Sequence, residues 1–210
     1  PGNPGQVSEA AKTAFETKYP GAQNVRWTVK GEHAVANFSL STTDAESASE
    51  GQSDAWFRNG NGVWDMTATN LRIIDLPEAV QEGFRASKYG DETLWTPTGK
   101  CDRLERRDVM LPTADGKSIV VYVIGVESAS AKGVKTTLDV YFSEDGILVN
   151  EVAGAPDNGY EDQLPQQPQG SQHPFGGVVR RAQHRAGKEQ PFNVVAAVKL
   201  HRQFHQFGHR

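Results

Sequence analysis

Residues 7–19 have the sequence VSEAAKTAFETKY, and residues 76–89 repeat its pattern in altered form as LPEAVQEGFRASKY. In both stretches a glutamate and two small or apolar residues lead to a phenylalanine and then to a tyrosine. Strand-like segments follow each stretch. A period of about 70 residues is too long for a solenoid repeat and is typical of a small domain duplicated in tandem.

The first stretch has the signals of a short helix. Ser8 is predicted to cap its N-terminus, and YPG at residues 19–21 is predicted to end it. Alternating apolar and polar residues then predict strands over residues 25–29 and 33–40. RNGNG at residues 58–62 predicts a hairpin between two further strands, because Asn and Gly adopt the positive φ angles that such a turn needs.

The second stretch has its own helix signals. Asp75 is predicted to cap the helix, Pro77 is compatible with the first turn, and Glu78 lies near the positive end of the helix dipole. The nearly continuous apolar residues 119–126 predict a buried strand. Residues 96–107 are more polar than the corresponding segment of the first unit.

These elements predict an α+β fold of two tandem units, residues 1–73 and 74–153. Each unit is predicted to contain one helix packed on an antiparallel sheet of about four strands. Residues 154–191 are rich in Gly, Pro, Gln and Asn without a sustained period, which predicts a linker or disordered segment. An apolar stripe then predicts an amphipathic helix over residues 192–207 within the polar, Pro/Gly/Gln/His-rich tail 154–210.

Charge and cysteine content exclude several classes of function. Residues 1–155 carry 15 basic and 22 acidic side chains, a net charge of −7, whereas residues 156–210 carry 7 and 4, a net charge of +3. Phosphate neutralisation needs clustered Lys and Arg, so no nucleic-acid partner is predicted for the acidic part. The single cysteine, Cys101, excludes an internal disulfide and a multicysteine metal site. No apolar run approaches the roughly 20 residues of a membrane span, and no cofactor is predicted.

Part of the chain resembles a known family. Residues 15–22, FETKYPGA, with Val25-Arg26-Trp27 after them, resemble the opening F..KYPGA..V.W of PepSY-like domains, which are small exported bacterial modules related in fold to the β-lactamase inhibitor protein. Leu76-Pro77-Glu78-Ala79-Val80 is similar to the family's helix start. The resemblance covers roughly residues 7–153 and is weaker in the second unit, which has Tyr89-Gly90-Asp91 where the first has Tyr-Pro-Gly-Ala.

The resemblance has implications for fold, location and function. It implies a helix on one face of an antiparallel sheet, with the other face available. It implies a periplasmic or secreted location, and binding or inhibition of a protein. It implies no catalytic residue.

Aromatic residues on a helix-free sheet face are the candidate binding residues. Exposed Trp and Tyr anchor partners well, because they bury a large area at a small entropic cost. Adjacent Trp56 and Phe57 must point to opposite faces of a strand, so one of them is expected to lie away from the helix. For each candidate the alternative is a core position beneath a helix. The candidates are Trp27, Trp56, Trp64, Trp95 and Tyr141.

No segment has a strong catalytic signature. Lys100 and Arg103 near Cys101 would lower the pKa of its thiol, but a nucleophile also needs an oriented base. His33 is the only histidine in residues 1–155, and nothing in the sequence brings it near Cys101. Cys101 is therefore interpreted as incidental. The charges of residues 102–108 alternate in sign and are interpreted as a solvated face or loop.

A histidine series in the tail is the one metal candidate. His201, His205 and His209 lie four residues apart beside the predicted terminal helix, where two imidazoles could chelate Zn, Cu or Ni. Three consecutive helical turns do not converge readily on one ion. A basic surface tail is therefore favoured over a metal site.

The sequence thus predicts a non-enzymatic extracytoplasmic binding module. It would recognise a protein or peptide of unknown identity through a sheet face or the groove between the units. One alternative is a small hydrolase with an unrecognised site. The other is a scaffold that presents the basic, His-rich tail.

Overall fold

The first helix begins and ends where the sequence predicts. In the computed structural model, which describes residues 5–40, 51–109, 117–130, 132–154 and 160–166, Ser8 Oγ accepts a hydrogen bond from the Ala11 N–H at 3.1 Å. Helix α1 (Glu9–Lys18) ends at Tyr19, whose N–H donates to Phe15 O at 2.8 Å. The strands that follow are β1 (Ala22–Lys30), β2 (His33–Leu40), β3 (Gln52–Arg58) and β4 (Trp64–Asn70).

The second helix begins differently from the prediction. Asp75 does not cap α2 (Glu78–Ala86); the residue at the cap position is Pro77, which makes no side-chain capping bond. Asp75 ends a short 3-10 helix (Ile73–Asp75) and pairs instead with Arg72 at 2.8 Å. The second set of strands is β5 (Thr96–Arg107), β6 (Ser118–Ala129), β7 (Lys135–Ser143) and β8 (Leu148–Ala153).

Within the described residues, the eight strands form one open antiparallel sheet in sequential order. The sequence predicts about four strands per sheet, but β4 and β5 pair from Met66↔Arg106 to Asn70↔Asp102 and join both halves. Among the described residues, no helix is long and apolar enough to cross a membrane.

The charged segment 102–108 is not a solvated loop, because most of it belongs to β5 in the middle of the sheet. Its charges have partners there: Arg103 pairs with Glu105 at 2.8 Å, and Arg107 pairs with Asp65 at 2.9 Å. A polar strand can occupy a central position when its ionic groups are paired in this way.

Both helices pack on the same face of the sheet. Under α1, Phe15 meets the rings of Phe38 and Trp27 edge-on at 5.0 and 5.2 Å. Under α2, Val80 packs with apolar residues of β5, β6 and β7. Because side chains alternate along a strand, the intervening residues point to the opposite face.

Part of the predicted linker is ordered on that opposite face. Residues 160–166, which we call the covering segment, pack against the sheet through Tyr160 and Leu164. The composition of residues 154–191 predicts a linker or disordered segment, but Tyr160 and Leu164 give this part of it apolar contacts with the sheet. Residues 167–191 and the predicted helix 192–207 lie outside the described residues.

Candidate functional site

The face of the sheet opposite the helices, here called the helix-free face, has an apolar centre. Alternate positions of the strands contribute the buried residues, and the most aromatic of these are Trp56 on β3 and Tyr141 on β7, each 2% exposed. Phe57, next to Trp56, points into the core under α1, as the divergence of adjacent strand residues predicts. The other buried members are Val35, Met66, Leu104, Val121 and Val123.

The covering segment lies across this centre. Tyr160 is 4% exposed and its hydroxyl donates to Asp102 Oδ2 at 2.5 Å, while Lys100 Nζ lies 4.6 Å from the centre of its ring. Further along, Arg106 donates to Gln163 Oε1 at 3.2 Å, and Arg58 donates to the Pro165 carbonyl at 3.2 Å. A polar rim of β5 and β3 therefore holds the segment over an apolar surface.

The polar atoms of two aromatic side chains on the helix-free face are buried without a hydrogen-bond partner in the described part of the chain. They are Trp56 Nε1 and the Tyr141 hydroxyl. Lys30 Nζ lies 5.2 Å from the centre of the Trp56 ring, over its face. An ammonium group has no lone pair, so it cannot accept a hydrogen bond from the indole N–H. A buried donor without a partner costs about 1–3 kcal/mol, so an acceptor that reached either atom would be favourable.

A pair of acidic residues surrounds the Tyr160 hydroxyl. Burial raises the pKa of the Asp102 carboxyl, and the Tyr160 hydroxyl and the charge on Lys100 oppose that rise without cancelling it. Asp139, which is 1% exposed, forms an ion pair with Lys100, whose Nζ lies 2.7 Å from Asp139 Oδ2. Lys100 is thus committed to Asp139, and Asp102 relies mainly on neutral hydrogen bonds from Tyr160 and Asn70.

Asp102→Asn is expected to unfold no more easily than the wild type at pH 7. With the pKa of Asp102 raised on folding, the native state binds more protons than the unfolded state between the two pKa values, so ionisation weakens the native state as the pH rises. Asn keeps an oxygen for the Tyr160 hydroxyl and removes this loss. The free energy of unfolding in urea, taken as variant minus wild type, should therefore be larger at pH 7 than at pH 4.

Asp139→Asn provides the matched control. Its carboxylate is the direct partner of Lys100, so its loss should lower the free energy of unfolding at pH 7 by about 1–3 kcal/mol. If Asp102→Asn lost as much as Asp139→Asn, the Asp102 charge would be stabilising and the expectation would be wrong.

A second ionic cluster lies beside the covering segment, around Asp65. This carboxylate is fully buried and contacts His33 Nε2 at 2.8 Å and Arg107 Nη2 at 2.9 Å. Arg58 Nε lies 2.9 Å from Oδ2, forming an ion pair without the alignment of a hydrogen bond. Burial alone would raise the pKa of Asp65, but the hydrogen bonds from His33 and Arg107 and the charge on Arg58 outweigh it and lower the pKa.

The remaining aromatic candidates lie on the helix side. Trp27 and Trp64 pack around the core under α1, and Lys18 Nζ lies 3.9 Å from the centre of the Trp64 ring. Trp95 packs against the core under α2, with its ring centre 5.0 Å from that of Tyr89. Trp27 also lines a cleft of about 430 Å³ between α1 and β1, together with Tyr19. The structure therefore brings Trp56 and Tyr141, out of the five, to the helix-free face.

The environment of Cys101 disfavours the reactive thiolate form of its side chain. Cys101 is buried under α2, and this burial raises the pKa of its thiol to about 12. No group of three or more metal-binding side chains is present in the described residues. His201, His205 and His209 lie outside them.

Tyr160 and Leu164 are the site residues that the sequence analysis missed. The surrounding composition predicts disorder, and residues 154–159, GAPDNG, separate Tyr160 from the preceding strand. The available signal was the pair itself, since an aromatic and an aliphatic residue four positions apart are unusual in a segment otherwise poor in apolar side chains.

Solved structures show which fold this is. A BLIP-like protein from Bacteroides fragilis matches at 28% identity with a TM-score of 0.54, over 72% of this chain and 91% of that chain. A DUF2874 family protein from Bacteroides ovatus matches at 19% identity with a TM-score of 0.56, over 75% and 94%. A provisionally periplasmic protein from Bacteroides eggerthii matches at 17% identity with a TM-score of 0.53, over 76% and 96%.

No protein-family model and no curated protein matches the chain. The structural matches nevertheless cover most of this chain and most of each matched protein. The chain therefore has the fold of the BLIP-like and DUF2874 proteins, an open antiparallel sheet with two helices on one side.

Proposed function

We propose that this protein is a non-enzymatic, extracytoplasmic binding module that recognises a protein or peptide through the helix-free face. The observation that carries the proposal is the buried pair Trp56 and Tyr141, whose polar atoms have no hydrogen-bond partner among the described residues beneath a short covering segment. Aromatic side chains with a polar atom to offer are the usual anchors of protein interfaces.

The character of the helix-free face supports this proposal. An antiparallel sheet with helices on one side commonly exposes polar residues on the other. Here the second face is instead apolar at its centre and carries basic side chains around it, including Lys30, Arg58 and Arg106. Such a centre and rim resemble the composition of a protein interface.

The repeated positions of two glycines support a tandem duplication of one helix-and-sheet unit. Gly62, in the turn between β3 and β4, lies against the Ala10 carbonyl near the start of α1. Gly146, in the turn between β7 and β8, lies against the Ala79 carbonyl near the start of α2. The same contact in both halves supports an arrangement of one helix on each set of four strands, with units near residues 1–73 and 74–153.

Location and the absence of enzymatic activity are parts of the same proposal. The BLIP-like match and the provisionally periplasmic match favour an extracytoplasmic module. The acidic and basic groups described above neutralise one another in two internal clusters, around Asp65 and around Asp102. The Cys101 thiol is buried and protonated. These features are those of a binding scaffold.

A selection of displayed peptides on the immobilised full chain tests the proposed face. We expect Trp56→Ala to weaken the selected peptides by at least about tenfold, the loss typical of an interface anchor. Trp27→Ala is the matched control, because it removes an indole from the other side of the sheet. Chemical-shift mapping would identify the contact surface. Peptides that lost affinity with Trp27→Ala and kept it with Trp56→Ala would place binding at the α1–β1 cleft and refute the proposal.

A further inference from the structure

The covering segment has the contacts of a bound peptide. Its tyrosine ring is buried, the tyrosine hydroxyl binds Asp102, and the ring faces the Lys100 ammonium. The segment has the sequence YEDQLPQ and carries two acidic side chains. One of them, Glu161, pairs with Lys30 at 3.4 Å.

The charge on the face is complementary to an acidic ligand. Lys30 contacts the carboxylate of Glu161, Arg106 contacts a side-chain carbonyl, and Arg58 contacts a main-chain carbonyl. Lys100 adds a cation over the aromatic ring. Arg58 and Lys100 are already paired with Asp65 and Asp139. Lys30 and Arg106 are therefore the basic residues that favour a peptide with acidic and carbonyl groups, while the Asp102 carboxylate favours a phenol over a phenyl ring.

The covering segment satisfies this site incompletely. Within the residues that the structure describes, Trp56 Nε1 and the Tyr141 hydroxyl remain buried without a hydrogen-bond partner. Tyr160 itself has φ 64° and ψ 24°, a left-handed conformation that is unfavourable for a residue with a side chain. A peptide that offered acceptors to the indole and phenol, and carried its tyrosine in an extended conformation, would bind the same surface without these costs.

We propose that the helix-free face binds acidic peptide segments that contain a tyrosine. This inference rests on the proposed function of that face. Residues 160–166 occupy it as an intramolecular competitor until such a segment displaces them. The competitor is tethered to β8, so its local concentration is on the order of millimolar. An external ligand reaches the site only in the fraction of molecules in which the segment has left, and its apparent affinity falls by that fraction.

The competition can be measured with the segment supplied as a separate peptide. We would titrate acetylated and amidated YEDQLPQ into the full chain and into the full-length Tyr160→Ala variant, following the indole N–H signal of Trp56 by NMR. Removing the anchor frees the site, so we expect the variant to bind at least about tenfold more tightly than the wild type. The peptide with Phe for Tyr should bind more weakly, and the peptide with Ala should not bind.

Controls separate this inference from the proposed function. Thermal unfolding establishes that Tyr160→Ala is folded; if it is not, Leu164→Ala, which removes a half-buried contact, replaces it. Equal affinity for wild type and variant, or no response of the Trp56 signal to millimolar peptide in a folded variant, would overturn the competitor role. Dimerisation of the peptide-free wild type that Tyr160→Ala abolishes would assign the segment to a second copy and would also overturn it. Selected peptides that still depend on Trp56 would leave the binding function standing in each of these cases.

Discussion

Gly146→Ala is expected to lower the free energy of unfolding by about 2–5 kcal/mol, since it combines a backbone cost of about 1–2 kcal/mol with an overpacking cost of about 1–3 kcal/mol. Gly146 has φ 78° in the turn between β7 and β8, where only glycine is free of steric penalty. A Cβ at this position would also overlap the Ala79 carbonyl at the start of α2. Chemical denaturation followed by circular dichroism would measure the loss.

Substitutions at two other glycines separate the backbone cost from the overpacking cost. Gly133 has φ 75°, and no atom of the described ranges lies within 4 Å of the added Cβ, so Gly133→Ala should show the backbone cost alone. Gly83 lies within α2, where Ala would ordinarily be favoured by about 1 kcal/mol. Its Cβ would overlap the Gly146 carbonyl, so Gly83→Ala should instead destabilise. Equal losses for Gly146→Ala and Gly133→Ala would mean that the α2 contact contributes nothing.

The fold was predictable where the determinants are local. Ser8 caps α1 because its side-chain oxygen accepts a hydrogen bond from the backbone N–H of Ala11, three residues later. Trp56 and Phe57 point to opposite faces of the sheet because the side chains of adjacent residues in a strand alternate. Asp75 failed as a cap because Arg72, three residues earlier, offers its carboxylate a bidentate charged partner. Gly83 also shows what local signals miss. Glycine weakens a helix locally, but it is required here because the backbone of Gly146, in a distant turn, leaves no room for a side chain.

The candidate site was less predictable because its determinants are distant in sequence. Tyr160 contacts Asp102, and Arg106 contacts Gln163, across more than fifty residues. The charges in β5 alternate as those of a solvated segment would, but Arg107 has its partner on β4 and Arg106 has its partner in the covering segment. Pattern analysis identified Trp56 and Tyr141 as aromatic positions on strands, but the face of each depends on the pairing of the whole sheet.

Asp65→Asn is expected to lower the free energy of unfolding by about 3–5 kcal/mol, the cost of removing one partner from a buried ion cluster. Asp65 is fully buried, and its carboxylate neutralises Arg58 and Arg107, whose side chains are 13% and 29% exposed. Asn preserves the shape and removes the charge, which leaves two guanidinium groups against a neutral amide. Denaturation by urea at pH 7 gives the measurement, and Asp75→Asn, which breaks an exposed pair with Arg72, should change stability little.

The pH dependence distinguishes the charge of Asp65 from its packing. Its pKa is lowered on folding, so its contribution is fully present above the unfolded value of about 3.9 and is lost as the pH falls through the lower native value. The difference between wild type and Asp65→Asn should therefore be large at pH 6 and shrink below about pH 4. A difference that stayed constant across this range would show that the variant disturbs packing alone. Because Arg58 also contacts the Pro165 carbonyl, loss of the Asp65 charge should loosen the covering segment, and the Trp56 indole N–H signal should report it.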